Sequence, residues 1–268
     1  MQSIAILGAG NIGTALAKGF TKAGFDGQSI QLLVRRPEHQ AALQQAGFNA
    51  CLSPDEAIGR ASCLILAVTP GQVAALNASI THLVRPDQLI VSAVSSVSIA
   101  TLRLQLNTSA PIVRVMPNIA AAIGQSMTAV AKDATAETPA DLAAFREVIE
   151  LFDRIGRTMP IQESQMMAAT VLCACSTAFF LRAIRAAAQG GTQIGFHPEE
   201  ALPVAAQVAL GAAGLVLEES AHPEIEIDRV TTPQGSTIAG LIEMEFNGFS
   251  SALIRGMVTS HEKTRGLN

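Results

Sequence analysis

A short apolar run from Ser3 to Gly8 ends in the glycines of Gly8-Ala9-Gly10-Asn11-Ile12-Gly13, and from Asn11 to Ala23 apolar residues recur at helical spacing (Ile12, Leu16, Ala17, Phe20). A strand that turns through G-x-G-x-x-G into a helix leaves the chain few folds. Its glycines serve a tight turn, a close backbone approach to a pyrophosphate and tight packing of helix on strand. The expected dinucleotide site therefore comprises Leu7, Gly8, Ala9, Gly10, Asn11, Ile12 and Gly13.

Apolar segments at Ile30–Val34, Cys63–Val68, Leu89–Val94 and Ile112–Met116 alternate with helical ones at Pro37–Ala46, Gly71–Leu83 and Ile99–Leu106. Such alternation predicts a parallel sheet wrapped by helices. A further strand pair, Met127–Ala131 and Arg157–Ile161, flanks a helix at Pro139–Phe152. Beyond Ile161 the strand signal stops. A long helix is expected from Gln162 to Ala188, ended by Gly190-Gly191, then helices at Pro198–Glu218, Thr237–Asn247 and Phe249–Lys263. The fold class is α/β: an N-terminal Rossmann dinucleotide-binding domain over 1–161 and an all-α C-terminal domain over 162–268.

With 49% hydrophobic and only 15% charged residues, a chain of 268 residues has ample material for a packed core. A formal net charge of −4 disfavours nucleic acid as a partner. The start, Met1-Gln2-Ser3-Ile4, has no basic region of a signal peptide. The apolar run Met166–Leu181, broken by Ser176 and Thr177, falls short of a membrane span and reads as a buried helix. A cytoplasmic protein without a membrane partner is expected. Cys51, Cys63, Cys173 and Cys175 form no disulfide framework, and without a nearby His pattern a metal site is not expected.

At the end of the second strand, an NAD-binding fold places an acid against the ribose hydroxyls. Here Leu33-Val34-Arg35-Arg36 has no acid before Glu38. The guanidinium groups of Arg35 and Arg36 suit a 2′-phosphate, so NADP(H) is favoured over NAD(H).

Absences narrow the chemistry. There is no tyrosine to protonate a carbonyl. The four lysines, Lys18, Lys22, Lys132 and Lys263, lie outside the long helix where β-hydroxyacid dehydrogenases keep a catalytic one. Reduction of a protonated imine, whose carbon is already electrophilic, fits this inventory. The segment Arg229-Val230-Thr231-Thr232-Pro233-Gln234-Gly235-Ser236-Thr237 reads as a hydroxyl-rich loop entering a helix, suited to a small carboxylate.

At these residues the chain resembles the pyrroline-5-carboxylate reductases, which make proline from a cyclic imino acid with NAD(P)H. Val230 to Leu241, with Glu245 and Gly248-Phe249 after it, follows the family's V-T-S-P-G-G-T-T-x-A-G-L signature. Ala67-Val68-Thr69-Pro70 resembles its A-V-K-P, and Arg114-Val115-Met116-Pro117-Asn118 its R-V-M-P-N. The resemblance implies that Ala67, Val68, Thr69, Pro70 and Asn118 join the cofactor site. It also implies that Thr232, Gly235, Ser236 and Thr237 hold the substrate, with Thr237 acting on the imine nitrogen. It implies a homodimer or an assembly of dimers. Val204, Val208, Leu210, Leu215 and Val216, spread around their helix, point the same way.

The departures cluster. The family's S-G-S-G-P-A-Y is Cys173-Ala174-Cys175-Ser176-Thr177-Ala178-Phe179, its following acid is Arg185, its A-V-K-P lysine is Thr69, its Thr-Pro after M-P-N is Ile119-Ala120, and the signature's first glycine is Gln234. The expected activity is NADPH-dependent reduction of 1-pyrroline-5-carboxylate. A different imine, a β-hydroxyacid-type reaction and a silent NADP(H)-binding paralogue remain alternatives.

Overall fold

The structure, a computed structural model, describes residues 3–133, 138–219 and 222–265. Two compact units emerge: residues 1–174 with the chain end from His261, and residues 175–260. The first extends past the boundary at residue 161 expected from the sequence, which marks where the sheet ends.

The first unit is an eight-stranded sheet. Its strands are β1 (Ile4–Leu7), β2 (Ile30–Leu33), β3 (Asn49–Cys51), β4 (Cys63–Leu66), β5 (Leu89–Ser92), β6 (Ile112–Met116), β7 (Ser126–Lys132) and β8 (Gly156–Pro160). They lie in the order β3-β2-β1-β4-β5-β6-β7-β8. The first six are parallel; β7 runs antiparallel to β6, and β8 parallel to β7. Strand direction of growth reverses at β1, so a crevice opens between β1 and β4 at their C-terminal ends, where open α/β sheets bind ligands.

Helices cover both faces: α1 (Asn11–Lys22), α2 (Pro37–Gln45), α3 (Pro54–Ile58), α4 (Pro70–Ile80), α5 (Ile99–Leu106) and α6 (Pro139–Asp153). Because side chains alternate across a strand, Ile4 and Ile6 enter one core cluster with Phe20 and Phe152, while Ala5 and Leu7 enter another with Ile58 and Leu102. The short β3 and α3 were not expected; at three and five residues they carry too little periodicity to read.

A helical stretch begins with α7 (Met166–Ala169), passes through a π-helical turn at Thr170–Cys175, and continues as α8 (Ser176–Gln193). Gly190-Gly191 does not end it, against the sequence expectation. The reason is tertiary: a Cβ on Gly191 would stand 3.2 Å from the Ala201 Cβ of α9 (Pro198–Glu219), so the bare backbone is where the two helices meet. The helix stops two residues later, and Gly195 takes φ +116°. The chain then forms α10 (Pro223–Val230), α11 (Ser236–Phe246) and α12 (Phe249–Arg265).

The second unit has almost no core of its own. Among its described residues Ala201 is the one fully buried apolar side chain, while Phe180, Leu181, Val204, Val208 and Leu210 are each more than half exposed. The run expected to be a buried helix divides: Met166, Ala169, Val171 and Cys173 are buried in the first unit, whereas Phe180 and Leu181 at its end are exposed. The stretches Glu163–Gln193 and Pro198–Glu218 are long and apolar enough to cross a membrane by length and composition.

Candidate functional site

A cavity of about 720 Å³ lies at the β1/β4 crevice. Gly8, Ala9 and Gly10 form its floor, Arg35 and Arg36 one rim, and Ala67, Val68 and Thr69 the other. Each glycine acts differently. Gly8 has φ +111°, and a Cβ there would stand 2.8 Å from the Ala67 carbonyl oxygen. A Cβ on Gly13 would overlap the Gly8 carbonyl, so α1 could not start against the turn. Around Gly10 nothing lies within 4 Å of a Cβ position, leaving open space for a ligand to approach the backbone. Gly10 is also the N-cap of α1 and offers no capping side chain, so the first-turn N–H groups stay available to a phosphate.

The opposite wall is held by a capping box. Thr69 caps α4, the Thr69 N–H donates to Gln72 Oε1 at 3.3 Å, and Pro70 occupies the first helical turn. On the arginine rim, Arg36 Nε stands 3.6 Å from Glu38 Oε1, both side chains being largely exposed. Arg35 makes no hydrogen bond or ion pair among the described residues.

Other expected cofactor residues differ in exposure. Leu7 is wholly buried in the core, whereas Asn11 is exposed, Ile12 and Pro70 are half-buried and Gly13 is buried at the turns beside the cavity. Asn118 is placed differently from expectation. Its Oδ1 accepts from the Ala120 N–H at 2.9 Å, its Nδ2 donates to the Cys173 carbonyl at 2.8 Å, and its own N–H donates to Ser126 Oγ at 3.1 Å. Widening to a π turn frees carbonyls from the α pattern, and Asn118 satisfies the one at Cys173. It thus ties the loop after β6 to the divergent segment. Sequence reasoning missed His39, Leu52, Gln72 and Ser79, which also line the cavity; the run of β2 into α2 could have pointed to His39.

A second cavity, about 540 Å³, is lined by Ser95, Ser96, Ser98, Arg114 and Glu163. Arg114 reaches it from β6 almost fully buried. Its Nη1 donates to Glu163 Oε1 at 3.0 Å, and its Nη2 to the carbonyls of Ser95 at 2.5 Å and Val94 at 3.3 Å. Glu163 also accepts from the Ile99 N–H at 2.8 Å. Burial pulls the guanidinium below its ordinary range while the hydrogen bond and charge of Glu163 oppose that. One buried cation thus fixes the loop after β5, at the ligand-binding ends of the strands.

In the second unit, the expected loop Arg229–Thr237 is shorter than it reads. Arg229 and Val230 belong to α10, and Ser236 and Thr237 form the first turn of α11. Gly235 is the N-cap without a capping side chain, and any Cβ on it would overlap Thr232 Oγ1. Gln234, at the family's glycine position, has φ +60°. The hydroxyls of Thr232, Ser236 and Thr237 are exposed and make no hydrogen bond among the described residues.

Residues 163–267 match the family described as pyrroline-5-carboxylate reductase dimerisation, and residues 3–96 that described as NADP oxidoreductase, coenzyme F420-dependent. Pyrroline-5-carboxylate reductase 1 of Dictyostelium discoideum is 45% identical over 99% of the chain, which spans only 50% of that relative. Pyrroline-5-carboxylate reductase 2 of the same organism is 44% identical, with 98% of the chain and 92% of the relative covered. Among solved structures, pyrroline carboxylate reductase of Plasmodium falciparum with NADP bound superposes with a TM-score of 0.86 at 21% identity, covering 99% of this chain and 97% of that one. The Streptococcus pyogenes 1-pyrroline-5-carboxylate reductase gives 0.83 at 25% identity, with 98% of each chain covered. With such identity sustained across both units, the chain belongs to the pyrroline-5-carboxylate reductase family.

Proposed function

We propose that this chain is a cytoplasmic, NADPH-dependent reductase of 1-pyrroline-5-carboxylate, forming proline as a homodimer or an assembly of dimers. The observation that carries the reading is the pairing on one chain of a glycine-floored dinucleotide cavity with an uncapped, hydroxyl-bearing helix start. A curated relative called pyrroline-5-carboxylate reductase matches across nearly its full length.

When bound, the dinucleotide supplies a hydride to the imine carbon. The chain's own residues do the rest. The backbone N–H groups after Gly10 hold the pyrophosphate, and the wall from Ala67 to Thr69 bounds the cavity opposite Arg35 and Arg36. The first-turn N–H groups of α11, with Thr232, Gly235 and Ser236, hold the substrate carboxylate. The Thr237 hydroxyl meets the imine nitrogen and steadies it as the carbon accepts hydride. No strong protein acid is needed, because the substrate nitrogen enters protonated.

Oligomerisation is argued from the second unit's bare apolar face, which requires cover; the dimerisation family matched there favours a second copy over a bilayer. The test is NADPH oxidation with 1-pyrroline-5-carboxylate, a six-membered cyclic imino acid and an acyclic imine. The expected result is kcat/KM for the five-membered ring in the range of about 10⁴–10⁸ M⁻¹s⁻¹, above both competitors. A second reading, a different imine as natural substrate, is favoured by the divergence itself: Gln234 and the segment Cys173–Phe179 stand where the family has glycine-containing motifs. A higher value for either competitor would establish it.

A further inference from the structure

The rim of the dinucleotide cavity carries three nitrogen-rich side chains, Arg35, Arg36 and His39, and they differ in what they already hold. Arg36 is drawn to Glu38. Arg35 and His39 have no side-chain hydrogen bond or ion pair among the described residues. His39 is half-buried, in the first turn of α2, whose N-cap Arg36 supplies no capping side chain. Its backbone N–H already donates to the Arg36 carbonyl at 3.1 Å, which leaves the imidazole as its contribution to the cavity.

Resting on the NADP(H) reading above, we infer that His39 is a specificity-determining residue that, with Arg35, grips the 2′-phosphate of the adenosine ribose, while the exposed Arg36 shares its charge with the neighbouring Glu38. The neutral imidazole keeps one N–H donor and the protonated ring has two, so the ring serves a phosphate in either state. Being planar, partly buried and on a helix, it is also better ordered than an exposed arginine, so less side-chain freedom is lost on binding. The acids nearby are Glu38, which is paired with Arg36, and Asp55 and Glu56 in the first turn of α3, whose Pro54 also lines the cavity. None of the three lines the cavity itself. Discrimination against NADH then depends on Arg35 and His39 more than on the Arg35-Arg36 pair that the sequence displays.

The test uses cofactor fragments and needs no turnover. Calorimetry measures 2′,5′-ADP and 5′-AMP binding to the full-length protein and to the variants His39→Ala and His39→Lys. Unfolding profiles check that each variant keeps its fold. The unmodified protein should bind 2′,5′-ADP at least about tenfold more tightly than 5′-AMP. His39→Ala should remove most of that ratio while leaving 5′-AMP unchanged, and His39→Lys should restore it. Equal losses for the two fragments would mean that the imidazole packs on the adenine, and would overturn the inference. So would an unchanged ratio in His39→Ala. If the unmodified protein itself fails to distinguish the fragments, the NADP(H) preference falls, a different failure from that of His39.

Discussion

At the scale of single residues, Thr237 carries the sharpest functional expectation. It stands in the first turn of α11 with a hydroxyl that makes no hydrogen bond among the described residues. Thr237→Ala should lower turnover about ten- to a hundredfold, the equivalent of roughly 1.5–3 kcal/mol for a hydrogen bond to a charged group. NADPH affinity should be unchanged by calorimetry. The cysteines carry a stability expectation. Burial pushes the Cys51 thiol up to about 11, with Glu56 adding to it, and burial raises Cys63 and Cys173 as well. Each thiol therefore keeps its proton in the folded chain at a pH where the unfolded chain releases it. That stabilisation is full below the unfolded value near 9.0, declines as pH climbs from there, and for Cys51 is lost once pH has risen through the folded value of about 11. The urea midpoint should accordingly fall between pH 8 and pH 10.5, and a Cys51→Ser, Cys63→Ala, Cys173→Ala variant should lose most of that dependence.

At the scale of elements, the contact of α8 with α9 depends on Gly191 and Ala201. Gly191→Val places a branched side chain where even a Cβ has 3.2 Å to its neighbour. The helices must part, at about 1–3 kcal/mol. Thermal unfolding should move down by several degrees while the isolated dinucleotide interaction, read by NADPH fluorescence, persists. The same contact explains a misreading. Paired glycines signal the end of a helix when propensity is all there is to judge by, but close approach of a second helix reverses their meaning. The strands β1, β2, β4, β5 and β6 were legible because a parallel sheet buried on both faces demands unbroken apolar runs. β3 was not, since Asn49–Cys51 joins the sheet only because β2 offers it an edge. The hydroxyl loop was legible as a cluster, yet Arg229, Val230 and Ser236 proved helical, while Thr237 lies in the helix expected from it.

At the scale of the whole molecule, the second unit exposes Phe180, Val204, Val208 and Leu210 to an extent that one chain in water cannot sustain. Light scattering at micromolar concentration should give a mass of two subunits or a multiple of two, rather than one. Val208→Glu, placing a charge on that face, should yield monomers or aggregates. The proposed reductase activity should be lost with the assembly, because an uncovered face leaves the helices of the unit without a core. The sequence by itself determined the sheet, the dinucleotide turn and the family, because each is written in local patterns: apolar period, glycine spacing and a contiguous signature. Only tertiary structure decided that Asn118 holds the Cys173 carbonyl at a π turn, that Gly191 admits a neighbouring helix, and that His39 faces the same cavity as the glycine turn. Those facts depend on which surfaces meet across long stretches of chain, and no local pattern records a contact between residues 55 apart such as Asn118 and Cys173.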